Sequence, residues 1–250
     1  MSERPVVVIT GGARGIGAAT AVLAAARGYA IVVNFLSNDA AARQVCETVA
    51  SGGGEAVAIK GDVSAEEDVA HLFEEVDRRF GRLDALVNNA GIVDRQGRVV
   101  DLTTARLNRM FATNVNGPFL CAREAVLRMS TARGGHGGAI VNVSSAAARL
   151  GSPNEYVHYA ASKAAVDALT IGLAKEVAEE GIRVNAVRPG PIHTTMHASG
   201  GEPDRIERLK GTIPMKRGGQ PEEIASAILW LLSDDASYIT GALLDVSGGR

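Results

Sequence analysis

Near the start of the chain, Pro5-Val6-Val7-Val8-Ile9-Thr10 forms a short, continuous apolar run, the pattern of a strand buried on both faces. It leads directly into Thr10-Gly11-Gly12-Ala13-Arg14-Gly15-Ile16-Gly17 and then into an alanine-rich stretch from Ala18 to Arg27 that favours helix. A strand, a glycine turn and a helix in immediate succession predict a β-α unit of a parallel sheet, since a helix is the usual return path between parallel strands. Glycines permit a tight turn and a close backbone approach to a pyrophosphate, and a helix start offers free N–H groups and the positive end of its dipole. The spacing here is GxxxGxG, carried by Gly11, Gly15 and Gly17, with Arg14 and Ile16 inside the loop. In this strand–turn–helix context it predicts a dinucleotide site.

The same alternation continues to the end of the sequence. Apolar runs predict strands near 5–10, 30–35, 55–60, 83–88, 138–144, 182–187 and 242–246. Helical stretches fill the gaps, near 15–28, 39–51, 65–80, 104–130, 156–180 and 221–233. This repetition predicts an α/β fold, a parallel sheet of about seven strands with helices on both faces. No linker or repeat divides the 250 residues, so a single domain over 1–250 is expected. The segment 196–214 breaks the rhythm with Gly200, Gly201, Pro203, Gly211 and Pro214, and is expected to form a lid-like insertion over a site. Net charge is −2 with no basic block, which argues against a nucleic-acid or anionic-membrane partner. No apolar run approaches the length of a membrane span. Cys46 and Cys121 lack metal-ligand or CxxC spacing and are expected as reduced thiols of a cytoplasmic protein, with no metal site.

Tyr159-Ala160-Ala161-Ser162-Lys163 lies in the stretch predicted as helix from 156. Residues four apart share a helix face, so the Tyr159 hydroxyl and the Lys163 ammonium can approach one small volume. A nearby cation lowers the pKa of a phenol, and such a pair could act as a general acid and base on an alcohol or carbonyl.

Taken with the glycine loop, the remaining motifs resemble those of the short-chain dehydrogenase/reductase family, over essentially the whole chain. The family's TGxxxGxG is similar to Thr10–Gly17, and the acidic residue it places after the third strand matches Asp62 in Gly61-Asp62-Val63. Its NNAG matches Asn88-Asn89-Ala90-Gly91, its helix asparagine Asn114, and its serine Ser145, the second of the pair Ser144-Ser145. Its YxxxK is Tyr159 and Lys163, and its PG motif is Pro189-Gly190, with Thr194 downstream.

The resemblance implies a Rossmann-like doubly wound sheet and hydride transfer between a nicotinamide and a carbonyl or secondary alcohol. It assigns Tyr159 as the proton donor or acceptor, Ser145 as the group that holds the substrate oxygen, and Lys163 as the group that lowers the Tyr159 pKa and binds the nicotinamide ribose. Asn114 would hold a water linking Lys163 to solvent. By the same resemblance, Asp62 would meet the adenine amino group, with Val63 offering its backbone. Asn88 and Ala90, followed by Gly91, would line the adenosine ribose. Ile192 and Thr194, beyond Pro189 and Gly190, would meet the carboxamide and phosphate. From the residues alone, Asp62 could also be a helix N-cap and Asn88-Asn89 a strand-end turn.

NAD-specific relatives usually carry a carboxylate at the end of the second strand, where this chain has Phe35. Arg14 can supply charge to a 2′-phosphate, and Asn34, Ser37 and Asn38 can donate hydrogen bonds, so NADP(H) is expected over NAD(H). The pocket is expected from Ala146-Ala147, 153–157, 191–193 and the lid, with His193, His197 and Glu155 on the solvated surface. A general carbonyl reductase or alcohol dehydrogenase is the first expectation. A 3-oxoacyl-[acyl-carrier-protein] reductase, with Lys175 and Arg133 as docking residues, comes second, beside a sugar or polyol dehydrogenase. A dinucleotide sensor without turnover is disfavoured, because Ser145, Tyr159 and Lys163 are all present. The small residues of the two longest helices, and analogy with the family, imply a homotetramer.

Overall fold

The computed structural model describes residues 4–250. Seven strands form one parallel sheet in the order β3-β2-β1-β4-β5-β6-β7. The strands are β1 (Val6–Ile9), β2 (Ala30–Phe35), β3 (Glu55–Lys60), β4 (Ala85–Asn88), β5 (Gly138–Val143), β6 (Ile182–Pro189) and β7 (Leu243–Val246). In β1 every residue is buried, and successive side chains enter opposite cores. Val6 and Val8 pack with Phe73, Leu72 and Met129 on one face, while Val7 and Ile9 pack with Ala21, Ala24 and Ile228 on the other. A strand covered on both sides can be apolar at every position, which is why its sequence shows no alternation.

The helices are α1 (Gly15–Ala26), α2 (Asp39–Ser51), α3 (Glu66–Phe80), α4 (Thr104–Phe111), α5 (Gly117–Met129), α6 (Ala147–Leu150), α7 (Val157–Glu176), α8 (Met196–Ser199), α9 (Arg205–Leu209) and α10 (Pro221–Leu232). The strand order turns back between β1 and β4, so the loops after these strands diverge and open a crevice at their carboxyl ends.

The single helix expected over 104–130 is interrupted. Between α4 and α5 the chain widens into a π-helical turn, Ala112–Asn116. Pro118 cannot donate to the carbonyl four residues back, and the turn absorbs that missing bond. Gly117 then lets the backbone close on Val63, where a Cβ would lie 2.9 Å from Val63 Cγ2. The turn brings Asn114 to the interior, fully buried. The segment 196–214 folds as α8, α9 and a 3-10 turn, anchored by buried Ile206, Leu209 and Ile213. Cys46 and Cys121 are both free thiols, and no helix is long and apolar enough to cross a membrane among the described residues.

Candidate active site

A cleft of about 1220 Å³ runs along the carboxyl ends of the strands. At one end its floor is the glycine loop. Gly11 and Gly15 have φ of +61° and +51°, a region that L side chains rarely adopt. Gly17 is required for another reason. A Cβ there would lie 2.6 Å from both Asn89 Nδ2 and Gly11 O, so this glycine packs the start of α1 under the loop rather than lining the cleft. Thr10 clamps the next loop in place, its hydroxyl accepting from the backbone N–H groups of Asn89 and Ala90 at 3.0 Å each.

Two further cofactor residues expected from sequence, Asn88 and Asn34, have their side-chain amides engaged within the protein. Asn88 is turned into the sheet, where its Nδ2 donates to Asn142 Oδ1 at 2.9 Å, and Asn89 takes its place on the cleft wall. Asn34 is buried and already occupied. Its Nδ2 donates to Gly61 O at 3.0 Å and its Oδ1 accepts from Gly11 N at 3.4 Å, which ties the loops after β1 and β3 together. Asp62 lines the cleft, and its Oδ1 accepts from both N and Oγ of Ser64, a turn ahead of α3 rather than a direct helix cap. Arg14, Gly15, Ile16, Ser37, Val63, Ala90, Gly91, Pro189, Gly190, Ile192 and Thr194 also line the cleft.

Midway along, α7 presents Tyr159, Lys163 and Asp167 four residues apart on one face. Ser145 stands across from Tyr159 at the end of β5, half-buried, with its Oγ accepting from Ala147 N at 3.1 Å. Ser144 is excluded from this position because its hydroxyl is fixed on Lys163 O at 3.1 Å. The buried Lys163 Nζ donates to Val143 O at 2.8 Å and lies 5.8 Å from the Tyr159 ring centre. Burial brings its pKa down to about 8, against the opposing pull of Asp167. Asp167 is itself held by Arg188 at 2.8 Å.

The expected lowering of the Tyr159 pKa is not realised in this arrangement. Burial pushes the phenol up, while a hydrogen bond with Ser145 and the charge of Arg205 pull it down. Lys163 spends its close contact on a carbonyl instead. Asn114 Oδ1 accepts from Ile92 N at 2.8 Å, and its Nδ2 donates to Ile92 O and Ser162 Oγ at 2.9 and 3.1 Å. No hydrogen bond joins it to Lys163 among the described residues. Both do border the space that a Gly91 side chain would fill, which lies 3.4 Å from Lys163 Nζ and 3.5 Å from Asn114 Oδ1.

The far end of the cleft was poorly anticipated. Glu155 is not a solvated carboxylate: it pairs with Arg205 at 2.6 Å and Arg208 at 2.8 Å. Glu202 holds the same two arginines from below, and the Arg205 guanidinium lies 4.7 Å over the Tyr156 ring. His197 lines the cleft with its Nε2 buried and unpartnered, and burial lowers its pKa, while His193 is exposed. Ser152 and Asn154, in the loop before α7, hold φ of +46° and +62°, a strained geometry for residues with side chains. Lys175 and Arg133 are exposed and neither lines the cleft. The four-residue spacing of Tyr159, Lys163 and Asp167 was the one available sign of the Asp167–Arg188 pair. Nothing in the sequence marked the ionic lattice, whose members come from distant segments.

Comparison with known proteins adds to this geometry. The family model described as enoyl-(acyl carrier protein) reductase matches residues 11–250. An uncharacterized oxidoreductase of Escherichia coli, YgfF, is 57% identical over 98% of this chain and 99% of its own length. A short-chain dehydrogenase/reductase from Serratia marcescens superposes with a TM-score of 0.90 at 35% identity, covering 98% of this chain and 97% of that one. A 3-ketoacyl-(acyl-carrier-protein) reductase from Brucella melitensis, solved in complex with NADH, gives a TM-score of 0.91 at 33% identity over 98% of each chain.

Proposed function

Because the chain belongs to the short-chain dehydrogenase/reductase family and is an oxidoreductase of that family, we propose that it transfers a hydride between NADP(H) and a carbonyl or secondary alcohol, with Tyr159 as acid and base. The observation that carries this reading is the meeting of the Ser145 and Tyr159 hydroxyls on the cleft wall, with the buried Lys163 ammonium behind them.

The cleft fits a dinucleotide. Its floor is backbone at the glycine loop, and a Cβ on Gly15 would press on Thr194 Cγ2 at 3.1 Å. Arg14 has no ion pair or side-chain hydrogen bond among the described residues, which leaves its charge free for a phosphate. Asp39 is drawn away to Arg43 and does not line the cleft, and Phe35 is buried. This supports NADP(H), through Arg14 and Ser37, over NAD(H). When bound, the nicotinamide supplies or accepts the hydride.

The chain's own residues do the rest. Ser145 donates to the substrate oxygen and stabilises charge developing there. Tyr159 gives that oxygen its proton, or takes it in the reverse direction. Lys163, with its pKa down at about 8, can release and regain a proton near neutral pH and so pass one onward. On this reading Asn114, buried beside Gly91 near Lys163, would hold the water that links Lys163 to solvent.

On this reading the chain is one dinucleotide-binding domain, and 196–214 closes over the substrate. The free cysteines are in keeping with a cytoplasmic protein. Exposed Phe111, Phe119 and Ile171 on α4, α5 and α7, with Trp230 and Tyr238 elsewhere, support a homotetramer. A monomer by light scattering would remove that part. NADPH and NADH consumption with diketones, aldehydes and acetoacetyl thioesters, and the reverse reaction with sugars and polyols, tests the whole. A preference for NADPH that Arg14→Ala abolishes is the expected result, and indifference to that substitution sinks the NADP assignment. Selective turnover of acetoacetyl thioesters would favour the acyl-carrier reductase reading.

A further inference from the structure

Arg250 is placed at the substrate end of the cleft by the end of the sheet. Pro189 of β6 pairs with Val246 of β7, and Gly190 packs so closely on Ser247 that a Cβ there would lie 2.8 Å from its carbonyl oxygen. Gly248 O accepts from Met215 N at 3.1 Å, which holds this strand end beside the segment carrying α9. A main-chain oxygen of Arg250 is then fixed from two sides, by Ser247 Oγ at 2.8 Å and by an Arg149 guanidinium N–H at 2.7 Å. These bonds set the residue's position and leave its side chain on the cleft wall.

That side chain is half-buried and has no ion pair or side-chain hydrogen bond among the described residues. Its neighbours are Arg205 and Arg208, whose charges repel it, and Glu155, whose two carboxylate oxygens are already held by those arginines. Burial and these like charges lower its pKa from the ordinary arginine value, although it remains a cation. Arg95 and Arg109 add two more guanidinium groups to this end of the wall, opposed by Asp94. A partly desolvated cation among like charges is a standing cost, and an anion brought by a ligand removes it. Arginines outnumber carboxylates on this part of the wall, and such an excess concentrates ligands of the opposite sign.

We propose that Arg250 is a specificity-determining residue that binds an oxyanion, a carboxylate or a phosphate, carried by the substrate. This rests on the hydride-transfer reading of the same cleft and narrows its substrate class to anionic carbonyl compounds or alcohols. A planar guanidinium with unused donors suits either oxyanion.

The test uses matched pairs. Acetoacetate and levulinate are each compared with their methyl ester, and dihydroxyacetone phosphate with dihydroxyacetone. Binding to the wild-type protein, R250Q and R250K is measured by titration calorimetry, and turnover is measured as NADPH consumption. The expected result is tighter binding of the charged member in at least one pair. The ratio of charged to neutral affinity falls about tenfold or more in R250Q and is partly restored in R250K. Which pair responds tells carboxylate from phosphate. Equal affinity for both members of every pair in the wild type overturns the proposal, as does a ratio that R250Q leaves unchanged. A charge preference without any NADPH consumption would instead contradict the hydride-transfer reading and leave the oxyanion site standing.

Discussion

At the glycine-loop end of the cleft the walls are mostly main chain, while at the arginine-rich end they are side chains. Gly11 meets the backbone of Ala90 and Gly17 that of Gly11, and Thr10 and Asn34 lock these loops in place. Glu155, Glu202, Arg205, Arg208 and Arg250 meet through charges carried on three separate segments. The first kind of wall accepts whatever ligand has the right backbone-facing shape, a diphosphate above all. The second can be changed one side chain at a time without disturbing the sheet, and is therefore where one relative can differ from another in substrate.

A single methyl group breaks the first wall. In Gly17→Ala the new carbon would stand 2.6 Å from Asn89 Nδ2 and Gly11 O, so the loop must shift. Overpacking of this kind costs about 1–3 kcal/mol. The thermal midpoint should drop and dinucleotide binding should weaken by about tenfold, with the KM of the carbonyl unaffected. A variant that binds NADPH normally would show that the loop is not the cofactor's floor.

The same contrast explains what could be read from the sequence. The sheet was legible because strands such as β1, β2 and β4 are buried, largely apolar runs, and the glycine loop because glycine marks backbone geometry directly. Tyr159 and Lys163 were legible because one helix face carries both. The π-helical turn at Asn114 was hidden in a sequence that favours helix, although Pro118 was its visible cause. The inward hydrogen bonds of Asn34 and Asn88 were hidden because sequence shows that an amide is near a site but not which way it points. The lattice around Glu155 joins residues about fifty apart in sequence, a relation set by the crossover connections rather than by any local pattern.

Glu155→Gln is the corresponding probe of the second wall. It removes one of the two carboxylates that hold Arg205 and Arg208. The KM for the carbonyl should change by about threefold to tenfold while the KM for NADPH stays put. A change in the NADPH constant alone would mean that the two ends are not separable.

The smallest effect concerns pH. His158, next to Tyr159, is buried with neither ring nitrogen partnered. Burial lowers its pKa below 6.5, the nearby Arg106 adds to the lowering and Asp94 opposes it. Because the folded pKa is the depressed one, the unfolded chain takes up a proton first as pH falls through 6.5, and stability declines from there downward. His197 contributes in the same direction. The thermal midpoint of His158→Leu, followed between about pH 8 and about pH 5, should fall less steeply than that of the wild type. Parallel curves for the two proteins would show that His158 titrates as freely in the fold as outside it.

The central claim is that the Tyr159 hydroxyl exchanges the proton with the substrate oxygen. Side-by-side NADPH consumption by the wild type and Tyr159→Phe, with NADPH affinity measured separately by fluorescence, tests it most directly. The account predicts a loss of about 10²–10⁴-fold in kcat with NADPH affinity unchanged. A Tyr159→Phe protein that turns over at the wild-type rate would contradict it.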